Sequence, residues 1–257
     1  MKASVVIANY NNEKYIDECI KSIKDQTFKD FEIIFFDDNS KDNSVDIVSK
    51  HKDIKIIENK SQTKFGSLNQ LNAFNQSIKI SKGEIIFFLD SDDYFHEEKL
   101  EKIVNQFDTK KNLKILYDFP IIFGNKKKIY PKKKNKFYKT YWDYIHPTSC
   151  ISVKRDFVQN IFNLVKDESY TDIWMDLRLH LYTKYLTNNY FVLEENLTYY
   201  RQTDKNISSK FKKFSINWWK RRREAHEYFF SFAKNNKLSV KKNLDYRITK
   251  HIYNLIK

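Results

Sequence analysis

Apolar positions along the first hundred residues fall into two alternating rhythms. Ser4-Val-Val-Ile-Ala8, Phe31 to Phe36, Ile54 to Ile57 and Glu84 to Leu89 are short runs rich in β-branched and aromatic residues, as expected of strands buried on both faces. Between them the spacing becomes helical. Tyr15, Ile16, Cys19, Ile20 and Ile23 recur after Asn11 or Asn12, either of which can cap a helix. Asn43 to Lys50 carries Val45 and Val48, and Phe65 to Ser81 carries Leu68, Leu71, Phe74 and Ile78, with Gly83 just past its end as a C-terminal cap. A helix near Glu97 to Phe107 and a strand over Leu113 to Phe119 continue the series. Strand–helix alternation at this spacing predicts an α/β fold. Its core is a doubly wound, mostly parallel sheet with right-handed crossovers and flanking helices.

After Phe119 the rhythm loosens. Lys126 to Lys139, with eight lysines and no acid, reads as a basic loop or hairpin. Helices are expected over Lys154 to Val165, Asp172 to Tyr185, Ile216 to Lys234 and Ser239 to Ile256, and a strand over Tyr190 to Tyr200. The net charge is +14, and residues 205–257 carry +12 of it, with 15 Lys or Arg against Glu224, Glu227 and Asp245. This step near Asp204 divides the chain into a catalytic region, 1–204, and a basic helical extension, 205–257. A nucleic acid, an anionic membrane surface or a phosphorylated substrate would each suit such clusters. Lysine-rich codon usage would raise the charge, but not gather it.

Three Gly, three Pro and 41% hydrophobic residues exclude collagen-like, low-complexity and disordered chains. No apolar run approaches the roughly 18 residues of a spanning helix, and the N-terminus enters a strand pattern with no signal-peptide character. Cys19 and Cys150 fit no metal or redox spacing, so a reducing, cytoplasmic setting is expected.

Two acidic clusters, Asp37-Asp38-Asn39-Ser40 and Asp90-Ser91-Asp92-Asp93, each follow a predicted strand directly. In open α/β sheets ligands bind outside the carboxyl ends of the strands, so both clusters should line one crevice. Carboxylates one residue apart on a turn suit Mn²⁺ or Mg²⁺, which keeps water and substrate phosphate in its shell. The chain has neither GxxxxGK[ST] nor GxGxxG, which leaves a carboxylate-held metal as the economical way to bind a diphosphate.

These residues resemble, in order, the family 2 glycosyltransferases of the GT-A fold. The matching segments are Ser4-Val-Val-Ile-Ala-Asn-Tyr-Asn-Asn12, Gln26-Thr-Phe, Phe31-Glu-Ile-Ile with Asp37 to Ser40 and Asn43-Ser44, Ala73-Phe-Asn75, and Gly83 through Asp93. The similarity is dense over residues 3–107 and thins to scattered matches up to about Ser208. The resemblance implies an inverting transferase that moves a sugar from a nucleotide diphosphate, most often UDP, to an acceptor hydroxyl. It makes 1–107 the nucleotide-sugar-binding half and 108–204 the acceptor-binding half. By the same resemblance Asp38 meets the base, Ala8, Asn9 and Tyr10 lie under the nucleoside, and Asn75, Asp90 and Ser91 belong to the donor site. Asp92, with Asp90, holds the metal. Asp172, in Thr171-Asp172 ahead of Leu177-Arg178-Leu179, matches the catalytic base; Asp176 lies one turn on, and only a residue at the helix start should face the crevice. His146 and Thr148 fall where acceptors are met.

Leu244, Ile248, Ile252 and Ile256 form an apolar stripe among basic residues, and Trp218-Trp219 precede Lys220-Arg-Arg-Arg223. Such helices suit an anionic bilayer, or they pack on the catalytic domain or a second copy of the chain. Lipid-linked acceptors of the resembling family, including those of capsule and lipopolysaccharide assembly, would place the protein at the inner face of the cytoplasmic membrane. A nucleic-acid-binding protein would leave the acidic clusters unexplained, and a sugar-phosphate nucleotidyltransferase lacks here its Gly-rich loop.

Overall fold

The computed structural model describes residues 1–124, 140–142, 144–187, 189–202 and 211–256. The lysine block at 126–139 lies outside them. Eight strands form one sheet: β1 (Ala3–Asn9), β2 (Phe31–Asp37), β3 (Ile54–Glu58), β4 (Ile85–Asp90), β5 (Tyr94–Phe95), β6 (Ile115–Gly124), β7 (Ile151–Lys154) and β8 (Tyr190–Gln202). Their order is β3-β2-β1-β4-β7-β6-β8-β5. The four strands at the β3 side are parallel, as expected. β7 then enters antiparallel between β4 and β6, while β6 and β8 run parallel.

Alternation along each strand sorts side chains to two cores. Val5 and Ile7, Ile33 and Phe35, and Ile85, Phe87 and Leu89 point to one face. There they meet α1 (Glu13–Lys24), α2 (Ser44–Ser49) and α4 (Lys99–Thr109) through Ile16, Ile20, Ile23, Val48, Leu100 and Ile103. Val6, Ile34, Ile86 and Phe88 point to the other face, against α3 (Gly66–Ile80), α5 (Arg155–Val165) and α6 (Met175–Tyr182). Each fully buried aliphatic or aromatic side chain contributes about 1.5–3 kcal/mol, so these two layers hold the strand ends rigidly.

α7 (Ile216–Asn235) packs on α6, with Ala225, Tyr228, Phe229 and Phe232 against Ile173, Leu177 and Leu181. α8 (Leu244–Ile256) lies antiparallel on α7, joined by Arg222 and His226 to Asp245 and by Phe230 to Tyr246. The last two helices thus form a further layer packed on α6. Its apolar stripe faces outward: Leu244 is 67% and Ile248 45% exposed, while Thr249 is the buried member of α8.

Local expectations differ in three places. Neither Asn11 nor Asn12 caps α1 through its side chain; Asn12 instead donates to Ser91 Oγ at 2.9 Å. Gly83 does not cap α3, which ends in extended backbone at Ser81. Its role is close approach, since a Cβ there would sit 2.3 Å from the Ala3 carbonyl carbon. The helix expected from Asp172 begins at Met175, with Trp174 at its N-cap, and a π turn follows over Thr183–Thr187. The cause is Arg178, fully buried, whose Nε takes the Ile173 carbonyl at 2.9 Å. Its other nitrogens hold the carbonyls of Val165, Asp167 and Tyr170 at 2.7–2.9 Å. Those carbonyls shape a loop instead of a helical turn.

Candidate functional site

The carboxyl ends of β1, β2 and β4 are adjacent, which brings both acidic clusters to one crevice. Asp37 is a structural anchor. Its carboxylate accepts from Asn9 Nδ2 at 2.8 Å, from Ser40 Oγ at 2.6 Å and from the Ser40 backbone N–H at 2.8 Å. That closes the turn in which Asn39 adopts a left-handed φ of 60°. Asn9 Oδ1 in turn accepts from Ser91 Oγ at 2.7 Å, tying the second acidic turn to the first. Ala8 is half-buried on β1, and Tyr10 is 48% exposed beside it. Asp38 accepts from Asn59 Nδ2 at 2.7 Å and Gln62 Nε2 at 2.8 Å, both from the loop after β3. No sequence pattern marked those two amides.

On α3 it is Gln70 that donates to Asp90 Oδ1, at 3.0 Å, while Asn75 lies more than a turn further along the helix. Behind the turn, Asp93 accepts from Ser149 Oγ at 2.6 Å and from the Arg201 backbone N–H at 2.8 Å. The same Ser149 hydroxyl accepts from the Asp90 N–H at 3.1 Å. Its carbonyl receives the Lys99 ammonium, fully buried, which also pairs with Asp118 at 2.8 Å and donates to Thr198 Oγ1 at 2.6 Å. A buried ion pair is strongly destabilising only when one partner is lost, so this knot fixes its surroundings more than it adds stability. Lys99, Asp118, Ser149 and Thr198 carry no motif and were not legible in the sequence.

Burial crowds the carboxylates of the turn. It pushes Asp90 up to about 7, with the charges of Asp92 and Asp176 adding to it and the Gln70 bond opposing. Burial likewise raises Asp92, against the nearby Arg201 guanidinium, and holds Asp93 well above the usual carboxylate range. Two half-exposed carboxylates that resist ionisation together fit a divalent cation, which would supply the missing positive charge and leave coordination sites for water and phosphate. Among the described residues no cluster of three or more ligating side chains exists; a two-carboxylate site is below that number.

Asp172 lies in the turn before α6 and lines a cavity of about 180 Å³ with Lys64, Phe65, Gly66, Ser67, Thr171, Trp174 and Phe211. It is not at the helix start; Asp176 occupies the first helical turn and is the nearer of the two to Asp90 in electrostatic terms. Burial raises Asp176, opposed by Arg221. His146 and Thr148 are both buried, each 5% exposed. His146 Nδ1 contacts the Asp118 carbonyl at 2.7 Å among the rings of Tyr117, Phe119 and Tyr144, which lowers its proton affinity by desolvation. Neither is gathered with the carboxylates of the crevice by any of these bonds.

An α/β protein with an acidic crevice at the carboxyl ends of parallel strands is the class that fold and site define. The model of glycosyl transferase family 2 matches residues 4–174. An uncharacterized glycosyltransferase of Nostoc sp. is 32% identical over 218 residues, 78% of this chain and 65% of that protein. WfaP of Escherichia coli, a UDP-Glc:α-D-GlcNAc-diphosphoundecaprenol β-1,3-glucosyltransferase, is 40% identical over 108 residues, 42% of each chain. The structure of Staphylococcus aureus TarS 1–349 in complex with UDP superposes with a TM-score of 0.66 at 20% identity, covering 98% of this chain and 70% of that one. The chain therefore belongs to glycosyl transferase family 2, and its architecture is the GT-A fold. It spans less than two thirds of the first two relatives' length.

Proposed function

We propose that the protein transfers a sugar, with inversion, from a UDP-sugar to a hydroxyl of a glycan or lipid-linked acceptor. The observation that supports the reading is the adjacency of two acidic strand ends, Asp38 at the end of β2 and Asp90 and Asp92 at the end of β4, with Asp176 close enough to Asp90 to raise its proton affinity. WfaP acts on a diphosphoundecaprenol acceptor, and TarS has been solved with UDP and with UDP-GlcNAc, which supports a uridine donor here. Asp38 offers a carboxylate to the N3–H of uracil, oriented by the side-chain amides of Asn59 and Gln62 that donate to it. Asn9, Ala8 and Tyr10 floor the nucleoside.

Mn²⁺ or Mg²⁺, held by Asp90 and Asp92, would neutralise the leaving diphosphate. Asp172 takes the proton of the acceptor hydroxyl as its oxygen bonds to the sugar C1 and the C1–O bond to the diphosphate breaks. The electron pair leaves with UDP. No covalent enzyme intermediate is needed.

Donor class is tested by thermal denaturation with UDP, GDP and CDP in the presence of Mn²⁺. A ligand that binds the native state alone raises its stability, so UDP should raise the midpoint most; a larger rise with GDP would overturn the uridine assignment. Turnover separates the aspartates. Asp172→Asn should lower it about 10²- to 10⁴-fold with unchanged UDP affinity. Greater damage from Asp176→Asn would move the base one turn into α6.

A further inference from the structure

The residues matched by the family model end at Trp174, and α7 lies beyond them. Yet α7 reaches the base. Glu224 Oε1 accepts the backbone N–H of Asp172 at 3.0 Å, and Lys220 Nζ, one turn earlier, stands 3.6 Å from Asp172 Oδ2. The helix is anchored for this by Tyr228, Phe229 and Phe232, buried against α6, so the placement of Glu224 is not left to a free surface side chain.

We infer that Glu224 is a positioning residue for the transfer reaction: it clamps the backbone of Asp172 and completes, with it, a two-carboxylate unit that receives the acceptor's proton. The inference rests on the reading of Asp172 as the base. Two carboxylates at one site cannot both ionise freely, and their titration belongs to the pair. In keeping with this, burial holds Glu224 above the usual range against the opposing Asp172 N–H bond, with the Asp172 carboxylate adding to the rise and Lys220 opposing it. The other charged groups around the pair are Lys64 across the cavity, Arg178 behind the loop, and Asp176 and Arg221 on the crevice side. In the step itself the acceptor O–H bond breaks, the proton passes to Asp172, and the pair then holds one more proton; no other reactant is required.

Glu224→Gln discriminates this role from a purely structural one. A glutamine carbonyl still accepts the Asp172 N–H, so a residue that merely closed the turn would be replaced without effect. Carboxyl ¹³C titration of the unliganded protein needs no substrate. The Glu224 carboxyl resonance, assigned by its loss in Glu224→Gln and distinct from the raised Asp90, Asp92, Asp93 and Asp176, should titrate above the ordinary carboxylate range in the wild type and fall in Asp172→Asn. A second readout is UDP release from UDP-glucose and UDP-GlcNAc with water as acceptor. In Glu224→Gln its acidic limb should move to lower pH and its kcat fall about tenfold, with KM for the donor unchanged. Thermal midpoints and UDP binding equal to wild type confirm that the variant is folded. Independent titration of Asp172 and Glu224, or an acidic limb that stays in place while Asp172→Asn abolishes release, overturns the inference alone. Full activity in Asp172→Asn overturns the base reading and takes this inference with it.

Discussion

At the scale of single residues, the acidic turn is a store of unfavourable charge. Asp90 titrates near about 7 in the folded chain and near the ordinary aspartate value in the unfolded one. Its folded proton affinity is raised, so the native state binds more protons than the unfolded state between about pH 4 and about 7. Stability of the metal-free protein should therefore fall as pH rises through that window, and Mn²⁺ at pH 8 should restore it. Chemical denaturation with and without chelator measures both. Asp92→Asn removes the like charge that adds to burial in raising Asp90, together with one of the two proposed cation ligands. It should flatten the pH dependence and abolish the Mn²⁺ effect; a variant that Mn²⁺ stabilises as much as the wild type would show that the cation sits elsewhere.

At the scale of elements, the two C-terminal helices present two faces of different character. The inner face of α7 packs on α6. The outer surface begins near the cavity mouth, where Phe211 lies beneath the Arg221 guanidinium. Phe214 is 64% and Ile216 62% exposed, with Phe214 against Trp218 and Trp219. The antiparallel return of α8, marked by Arg223 over Tyr253, carries Leu255 and Ile256, also exposed, back towards that end. Lys213 lies over the Phe214 ring, with Lys212 next to it in sequence and Lys220 further along α7. An aromatic and aliphatic tip with lysine beside it suits an anionic bilayer interface, and it would bring a lipid-linked acceptor to the Asp172 cavity. Among the described residues no helix is long and apolar enough to cross a membrane. Replacing Phe214 and Ile216 with Ser should weaken sedimentation with phosphatidylglycerol vesicles at least tenfold and leave UDP release into water untouched. Equal sedimentation of both proteins would refute the bilayer contact.

At the scale of the whole molecule, the parallel side of the sheet and the acidic turns at its strand ends were readable because they follow the hydrophobic pattern. A strand buried on both faces must be continuously apolar, so its end is sharp, and Asp37 and Asp90 stand at those ends. The sheet's middle was not readable. β7 has only four residues and β5 two, too short for a period to show, and the antiparallel entry of β7 depends on partners far along the chain. Lys99 looked like one surface lysine among many, and Glu224 like a stray acid in a basic helix; only tertiary packing tells them apart. The start of α6 was misplaced for the same reason. Local propensity extended the helix back to Asp172, whereas the Arg178 guanidinium from inside the helix holds the Ile173 carbonyl and those of the loop before it.

The bond from the Arg201 N–H to Asp93 joins residues 108 positions apart. A nascent chain therefore emerges from the ribosome with its acidic turn complete in sequence but without the strand that seats it. β8 is nearly the last piece of the sheet to be made, and pairings of such separation form late because the intervening loop must first be closed. Until then the carboxylates have neither their rear hydrogen bonds nor the guanidinium that opposes their repulsion, and stalled or clipped products should be unable to capture nucleotide. Chains released at residue 189 and assayed for Mn²⁺-dependent UDP binding by calorimetry should show none, while chains released at residue 256 bind. The long reach of β8 thus ties the seating of the acidic turn to the formation of a strand more than a hundred residues later.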